Sequence, residues 1–161
     1  MEDLIIDKID IQLLDALQTD ASLSNQALAA VALISPPTCL RRVKRLKDAG
    51  LIEREVALLS PDKLATVTGF GLTAIIEITL DHQSSEHMIA FEKRINGDTA
   101  VQQCYRTSPG PDFVLIVLVR DMPAYLALSQ RLFTGDANVR NVKAFFSIKR
   151  SKFDPKVPLA P

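Results

Sequence analysis

The sequence predicts an α+β chain in two parts, an N-terminal winged helix-turn-helix followed by a βαββαβ ferredoxin-like (split β-α-β) sandwich. Three observations predict it. Apolar residues recur at helical spacing from residue 6, and two more short helical stretches follow before Gly50. From residue 71 the patterning runs strand, helix, strand, strand, helix, strand. The basic side chains are concentrated: RRVKRLK at 41–47 holds five and no acid, whereas the first 40 residues hold only Lys8 against six acids.

The first helix is expected over residues 7–20. Ile6, Ile9, Leu13 and Leu17 lie on one face with Leu14 beside them, and Asp7 is placed to cap it. Ser24 starts a second, short and very apolar helix, which should be buried on most sides. Ser35 caps a third. Pro36 and Pro37 fall in its first turn, where a missing N–H breaks no helical bond, so the first amide within reach of the Ser35 hydroxyl is that of Thr38. Leu40, Val43 and Leu46 are expected on its inner face. Gly50 ends it as a left-handed cap. LIEREVALLSP then reads as a hairpin or wing, and residues 60–70 as a hinge.

The second part spans 71–153. GLTAIIEITL is a strand, EHMIAFEKRING a helix closed by Asn96-Gly97, and VQQCYRTS and DFVLIVLVRD are strands joined by Pro109-Gly110-Pro111. MPAYLALSQRLFTG is a helix and VRNVKAFFSIKR the last strand. The expected product is four antiparallel strands with two helices on one face. In the third strand Leu115, Val117 and Val119 alternate with Val114, Ile116 and Leu118, so both faces are apolar. One face takes the helices, and the other most simply takes a second subunit. Residues 154–161 read as an irregular tail.

With 47% hydrophobic and 24% charged residues the composition is that of an ordinary globular protein. No stretch is apolar enough for a membrane span, and the acidic start carries no signal-peptide core, so a cytoplasmic location is expected. Cys39 and Cys104 are expected as buried thiols. His82 and His87 are expected at the surface, without metal-ligand spacing. Neither a catalytic triad nor a phosphate-binding glycine loop is present, and no cofactor is expected.

SPPTCLRRVKRLKDAGLIEREVALLSP resembles the recognition helix and wing of the Lrp/AsnC (feast/famine) regulators. The match runs through Ser35-Pro36, Cys39-Leu40, Arg42-Val43, Arg45-Leu46, Gly50 and Ile52. The opening matches at Ile6-Asp7, Ile9-Asp10, Leu13-Leu14, Leu17 and Asp20. The βαββαβ part is similar mainly in element order, with Asp121-Met122 and Ala124-Tyr125 at the familiar place. Three positions depart from the pattern. Ala27 stands where the family often has an acid that completes a capping box with Ser24. Leu33 stands at the turn glycine, which implies a turn of different construction. The loop glycine is displaced by one residue in Ser108-Pro109-Gly110-Pro111-Asp112-Phe113.

The resemblance implies a DNA-binding transcription regulator that responds to an amino acid and works as a homodimer or higher oligomer, an octamer of four dimers being expected. The expected DNA-contacting residues are Ser35, Pro37, Thr38, Arg41, Arg42, Lys44 and Arg45. Thr38 and Arg41 lie nearest the base edges of double-stranded DNA, while Arg42, Lys44 and Arg45 suit bases or phosphates equally. The implied effector site lies between subunits. One wall is Arg106, Thr107, Ser108, Gly110 and Asp112, the other Phe145, Phe146 and Ser147. Asp112 either caps a turn or pairs with an α-ammonium, and Arg106 or loop amides take the carboxylate. Phe145 and Phe146 fill core and interface or favour an apolar ligand, leucine or methionine. Two rivals share the fold: a DNA-compacting architectural protein and a sirohaem-decarboxylase-like enzyme. The basic helix and a total of two histidines weigh against the enzyme.

Overall fold

The computed structural model describes residues 5–159. Residues 1–4 of the expected first domain and 160–161 of the expected tail lie outside the described residues. The chain divides into two compact units, one of residues up to Leu58 together with those from Lys152 on, the other Leu59–Ser151. The chain therefore passes between the units twice.

In the first unit, α1 (Lys8–Thr19), α2 (Asn25–Val31) and α3 (Pro36–Asp48) enclose a small core. Leu13, Leu28, Ala29, Ala32, Cys39 and Leu46 are buried, with Ile6, Ile9, Leu14, Leu17, Val43 and Ile52 packed around them. Asp7 and Asp10 cap α1 reciprocally, each side chain accepting from the other's backbone N–H. The Ser24 hydroxyl accepts from the Ala27 amide at 3.2 Å, the half of the box that the sequence retains. α2 buries only one face, since Val31 is 54% exposed, so the expectation of burial on most sides does not hold. At the end of α3 the Gly50 N–H donates to the Lys47 carbonyl and the Leu51 N–H to that of Leu46, with Gly50 at φ +74°. This is the glycine-closed helix end that the sequence predicts.

Three expectations need correction, and the hinge segment holds an element that the sequence reading did not include. Leu40 is 62% exposed, and Cys39 takes its place in the core. The Ser35 hydroxyl makes no bond to the Thr38 amide; it lies 2.8 Å from the Thr38 hydroxyl instead. Residues 51–59 contain no strand, so the wing is an irregular loop. The expected hinge contains a helix, α4 (Pro61–Thr68), capped by Ser60 and closed by Gly69 at φ +73°.

The turn between α2 and α3 keeps its left-handed residue even though that residue is Leu33, at φ +53°. The expectation of a different turn is overturned. The Ile34 N–H still reaches back to the Ala29 carbonyl at 3.0 Å, which demands this geometry. A left-handed leucine costs roughly 1–2 kcal/mol. Its side chain is 92% exposed and returns almost no burial. Leu33→Gly should therefore raise stability by about 1 kcal/mol, read as a higher denaturant midpoint at unchanged slope. A lower midpoint would show that the leucine is held by something other than its backbone.

In the second unit, β1 (Leu72–Leu80), α5 (Ser85–Asn96), β2 (Val101–Arg106), β3 (Phe113–Val119), α6 (Met122–Ser129) and β4 (Val139–Phe146) form one antiparallel sheet in the order β2-β3-β1-β4, with both helices against one face. α6 ends earlier than expected, and a π-helical turn, Gln130–Thr134, carries buried Leu132 and Phe133. Ala74, Ile76, Ile78 and Leu80 of β1 and Phe113, Leu115, Val117 and Val119 of β3 pack against Met88, Phe91 and Ile95 of α5 and Tyr125 and Leu128 of α6. The rings of Phe91 and Phe113 stack with centroids 4.7 Å apart. The opposite face carries Ile75, flanked across the strands by Ile116 and Phe145.

The tail carries no helix or strand over the described residues 152–159, and it is tied to α1. Gln18 and Val157 exchange two hydrogen bonds of 2.9 and 3.0 Å, and the Lys156 ammonium donates to the Thr19 hydroxyl at 2.6 Å. Among the described residues no helix is long and apolar enough to cross a membrane.

Candidate nucleic-acid interface

α3, of 13 residues, begins with two prolines and carries the five basic side chains of 41–47. Cys39, Val43 and Leu46 hold its inner side on the core. The Asn25 side-chain amide donates to the Pro36 carbonyl at 2.9 Å and fixes its first turn against α2. Pro37, Leu40, Arg41 and Lys44 are exposed, at the spacing of one outward stripe, with Ser35 exposed and Thr38 half-buried at its start.

The five cations are not equivalent. The Arg42 guanidinium reaches back to α1 and donates through Nη1 to Asp7 at 2.8 Å and to Asp10 at 2.9 Å. Arg45 donates to the other oxygen of Asp10 at 2.5 Å. Lys47 pairs with Glu55 of the wing loop at 2.9 Å. Arg41 and Lys44 have no acidic partner among the described residues. Arg42 and Arg45, expected to serve bases or phosphates, are thus already neutralised by α1. A cleft of about 190 Å³ lined by Asp7, Arg41, Arg42 and Arg45 marks the junction.

Asp10 is completely buried. Its carboxylate is tolerated there because two guanidinium groups and the Asp7 N–H occupy it. The Asp10 N–H bond and the Arg42 side chain hold the Asp7 carboxyl below its ordinary value of 3.8, and Arg42 is correspondingly raised. A depressed carboxyl stabilises the fold above its unfolded value, and the contribution is lost as pH falls through the folded one. Sequence reasoning missed this clamp. Its signal was present: Asp7 and Asp10, like Arg42 and Arg45, are three residues apart, as neighbours on one helix face must be. Arg54 of the wing, exposed and unpaired among the described residues, is a further cation that reasoning passed over.

In the second unit the expected effector residues are not brought together. The loop after β2 is closed on itself: the Thr107 N–H donates to the Asp112 carbonyl at 3.0 Å, and the Thr107 hydroxyl donates to the Pro111 carbonyl. Ser108 is exposed, and Gly110 sits at φ +121°, a backbone that accounts for glycine at the displaced position. The Asp112 carboxylate, 8% exposed, accepts from the Leu80 N–H at 2.7 Å. It caps the end of β1, the plainer of its two readings. Arg106 pairs with Glu92 of α5 through Nε at 3.0 Å and Nη2 at 2.9 Å and lies over the Phe113 ring.

The other expected wall lies elsewhere. The Asp112 loop meets β1 at Ile78–Leu80, whereas Phe145 and Phe146 pair with Ile75 and Ala74, and the Ser147 N–H donates to the Thr73 carbonyl. At strand rise this puts the two walls roughly 10–20 Å apart along the sheet. Phe145 and Phe146 also face opposite ways. Phe146 packs edge-on against Tyr125 of α6 with centroids 4.9 Å apart, and Phe145, 52% exposed, stands beside Ile75 on the open face. One subunit does not make this pocket.

Two family models match. A winged helix-turn-helix DNA-binding domain covers residues 6–53, and an Lrp/AsnC ligand binding domain covers 73–157. The chain belongs to the Lrp/AsnC family. Lrp/AsnC relatives agree over nearly the whole length. The DNA-binding transcriptional activator DecR of Escherichia coli K12 is 34% identical over 96% of this chain and 99% of its own. The leucine-responsive regulatory protein of Rhizobium meliloti is 32% identical over 91% of this chain and 92% of its own. A transcriptional regulator of Neisseria meningitidis, solved in complex with L-methionine, superposes with a TM-score of 0.85 at 28% identity, covering 96% of this chain and 97% of that one. Within the Lrp/AsnC plan, this chain keeps the left-handed turn without its glycine and keeps the loop carboxylate as a strand cap.

Proposed function

We propose that this Lrp/AsnC protein is a sequence-specific DNA-binding regulator whose α3 enters the major groove and whose second unit answers to an amino acid, leucine or methionine before others. One observation carries the DNA reading: of five cations on α3, three are paired within the unit, leaving Arg41 and Lys44 directed outward. Arg41 suits a bidentate contact to guanine and Lys44 a phosphate. The effector preference rests on the apolar side chains of the open sheet face and on relatives named for leucine or bound to methionine. We place the effector site between copies, because the Asp112 loop and Phe145 lie apart in one. The working unit is a homodimer joined through the open face; an octamer of four such dimers follows from family resemblance. As a regulator it has no catalytic role and acts in the cytoplasm, where its DNA is.

The test is binding to a duplex selected from random DNA by the protein itself, with and without L-leucine or L-methionine. Arg41→Ala should weaken that binding by about 1–3 kcal/mol and relax the preference at one base pair. Equal binding of both proteins to selected and random DNA would mark a compacting protein instead. An affinity indifferent to both amino acids would remove the effector reading alone.

A further inference from the structure

The outward stripe of α3 has one member that a purely cationic surface does not need. Leu40 is 62% exposed, one turn after Pro37 and one turn before Lys44, with Arg41 as its sequence neighbour. It touches neither buried cluster: Cys39 and Leu46 fill the core, and Leu40 is absent from the apolar residues packed around them. A single exposed leucine is unremarkable on a general surface. Here it lies on the helix face whose neighbours are the two unpaired cations. Those cations commit the face to a polyanion, and the only apolar group that the major groove of a polyanionic duplex displays at its edge is the 5-methyl of thymine. A leucine pressed into a groove without that methyl would lose water from apolar surface with no apolar surface opposite.

We propose that Leu40 is a specificity-determining residue that reads a thymine methyl next to the base pair contacted by Arg41. The inference rests on α3 being the DNA-reading helix. It also separates the work of two consecutive residues. Arg41 supplies polar readout of guanine, whereas Leu40 selects thymine by contact alone, and its contribution is independent of salt because it involves no charge.

The experiment uses the full chain and the duplex it selects from random DNA. Each thymine is replaced singly by uracil, which removes the methyl and leaves every Watson–Crick and groove hydrogen-bonding atom in place. At one position in each half-site the parent should bind the uracil duplex about three- to fourfold more weakly, the value of one buried methyl-sized group. Leu40→Ala, at an exposed position that the fold does not use, should bind thymine and uracil duplexes equally well there. Arg41→Ala should bind both more weakly but keep the ratio between them. The proposal is overturned if no uracil position weakens the parent, or if Leu40→Ala keeps the parent's ratio. Selection that enriches no sequence would instead remove the sequence-specific reading on which the proposal stands.

Discussion

Asp10→Ala is expected to cost the first unit about 3 kcal/mol or more, the range measured when one member of a buried ion cluster is deleted. Asp10 is fully buried and holds Arg42 and Arg45 on its two oxygens. Alanine leaves the mostly buried Arg42 guanidinium facing a cavity, and its buried Nε already has no partner among the described residues. Asp7 still reaches Arg42, which sets the loss toward the low end of that range. Hydrogen exchange of the α1 and α3 amides in the full chain reads the effect, and unchanged protection in both helices would refute it. Asp10→Asn separates charge from packing. Asparagine preserves the shape and leaves Arg42 on Asp7 but releases Arg45 toward phosphates, so random DNA should bind more tightly at low salt. The salt slope should steepen by about 0.9 for each phosphate gained. That result would mean that the carboxylates of α1 hold back charge that otherwise raises affinity for every sequence alike.

Much of this arrangement was legible in the sequence because local chemistry determines it. The proline-led start of α3, the glycine that ends it, the capping role of Asp7 and the two-sided apolar strand 113–119 each follow from a few adjacent residues. What escaped depends on distant partners. Cys39 and Leu40 are adjacent and both apolar, so periodicity assigns one of them inward without saying which; packing against Leu13 and Leu28 decides for Cys39. Arg42 and Arg45 look outward-facing until α1 is placed beside them, 32 to 35 residues away in the chain. Leu33 violates the local preference of leucine because the turn's hydrogen bond to Ala29 outweighs it. The two expected effector walls lie apart within one subunit for a register reason. Two segments of suitable chemistry were joined across a sheet whose pairing sets them at opposite ends of β1. Helix α4 was hidden under its proline, which reads as a breaker but falls at the first helical position.

Ile75→Lys is expected to convert the proposed dimer into a monomer at micromolar concentration. Ile75 stands at the middle of the open sheet face, 39% exposed, with Ile116 across one strand pair and Phe145, 52% exposed, across the other. Beside this apolar row Glu77 of β1 lies opposite Lys143 of β4, a charged pair suited to the rim of an interface. A two-fold axis through such a patch brings each Ile75 against the same surface of the second copy, so one substitution acts twice. Burying an unpaired ammonium costs about 3–5 kcal/mol, and at 1.4 kcal/mol per tenfold even one such cost weakens association more than a hundredfold. The monomer itself should fold normally, because the lysine there replaces a side chain already in contact with water. Sedimentation or light scattering reads the mass, and the thermal transition reads the fold. The consequence reaches DNA: a monomer offers one α3 to one half-site, so the selected duplex should lose the affinity gained from holding two, while a single half-site binds parent and variant alike. A variant with the parent's mass would show that the sheet face is not where copies meet, and the effector site proposed between them would lose its geometry with it.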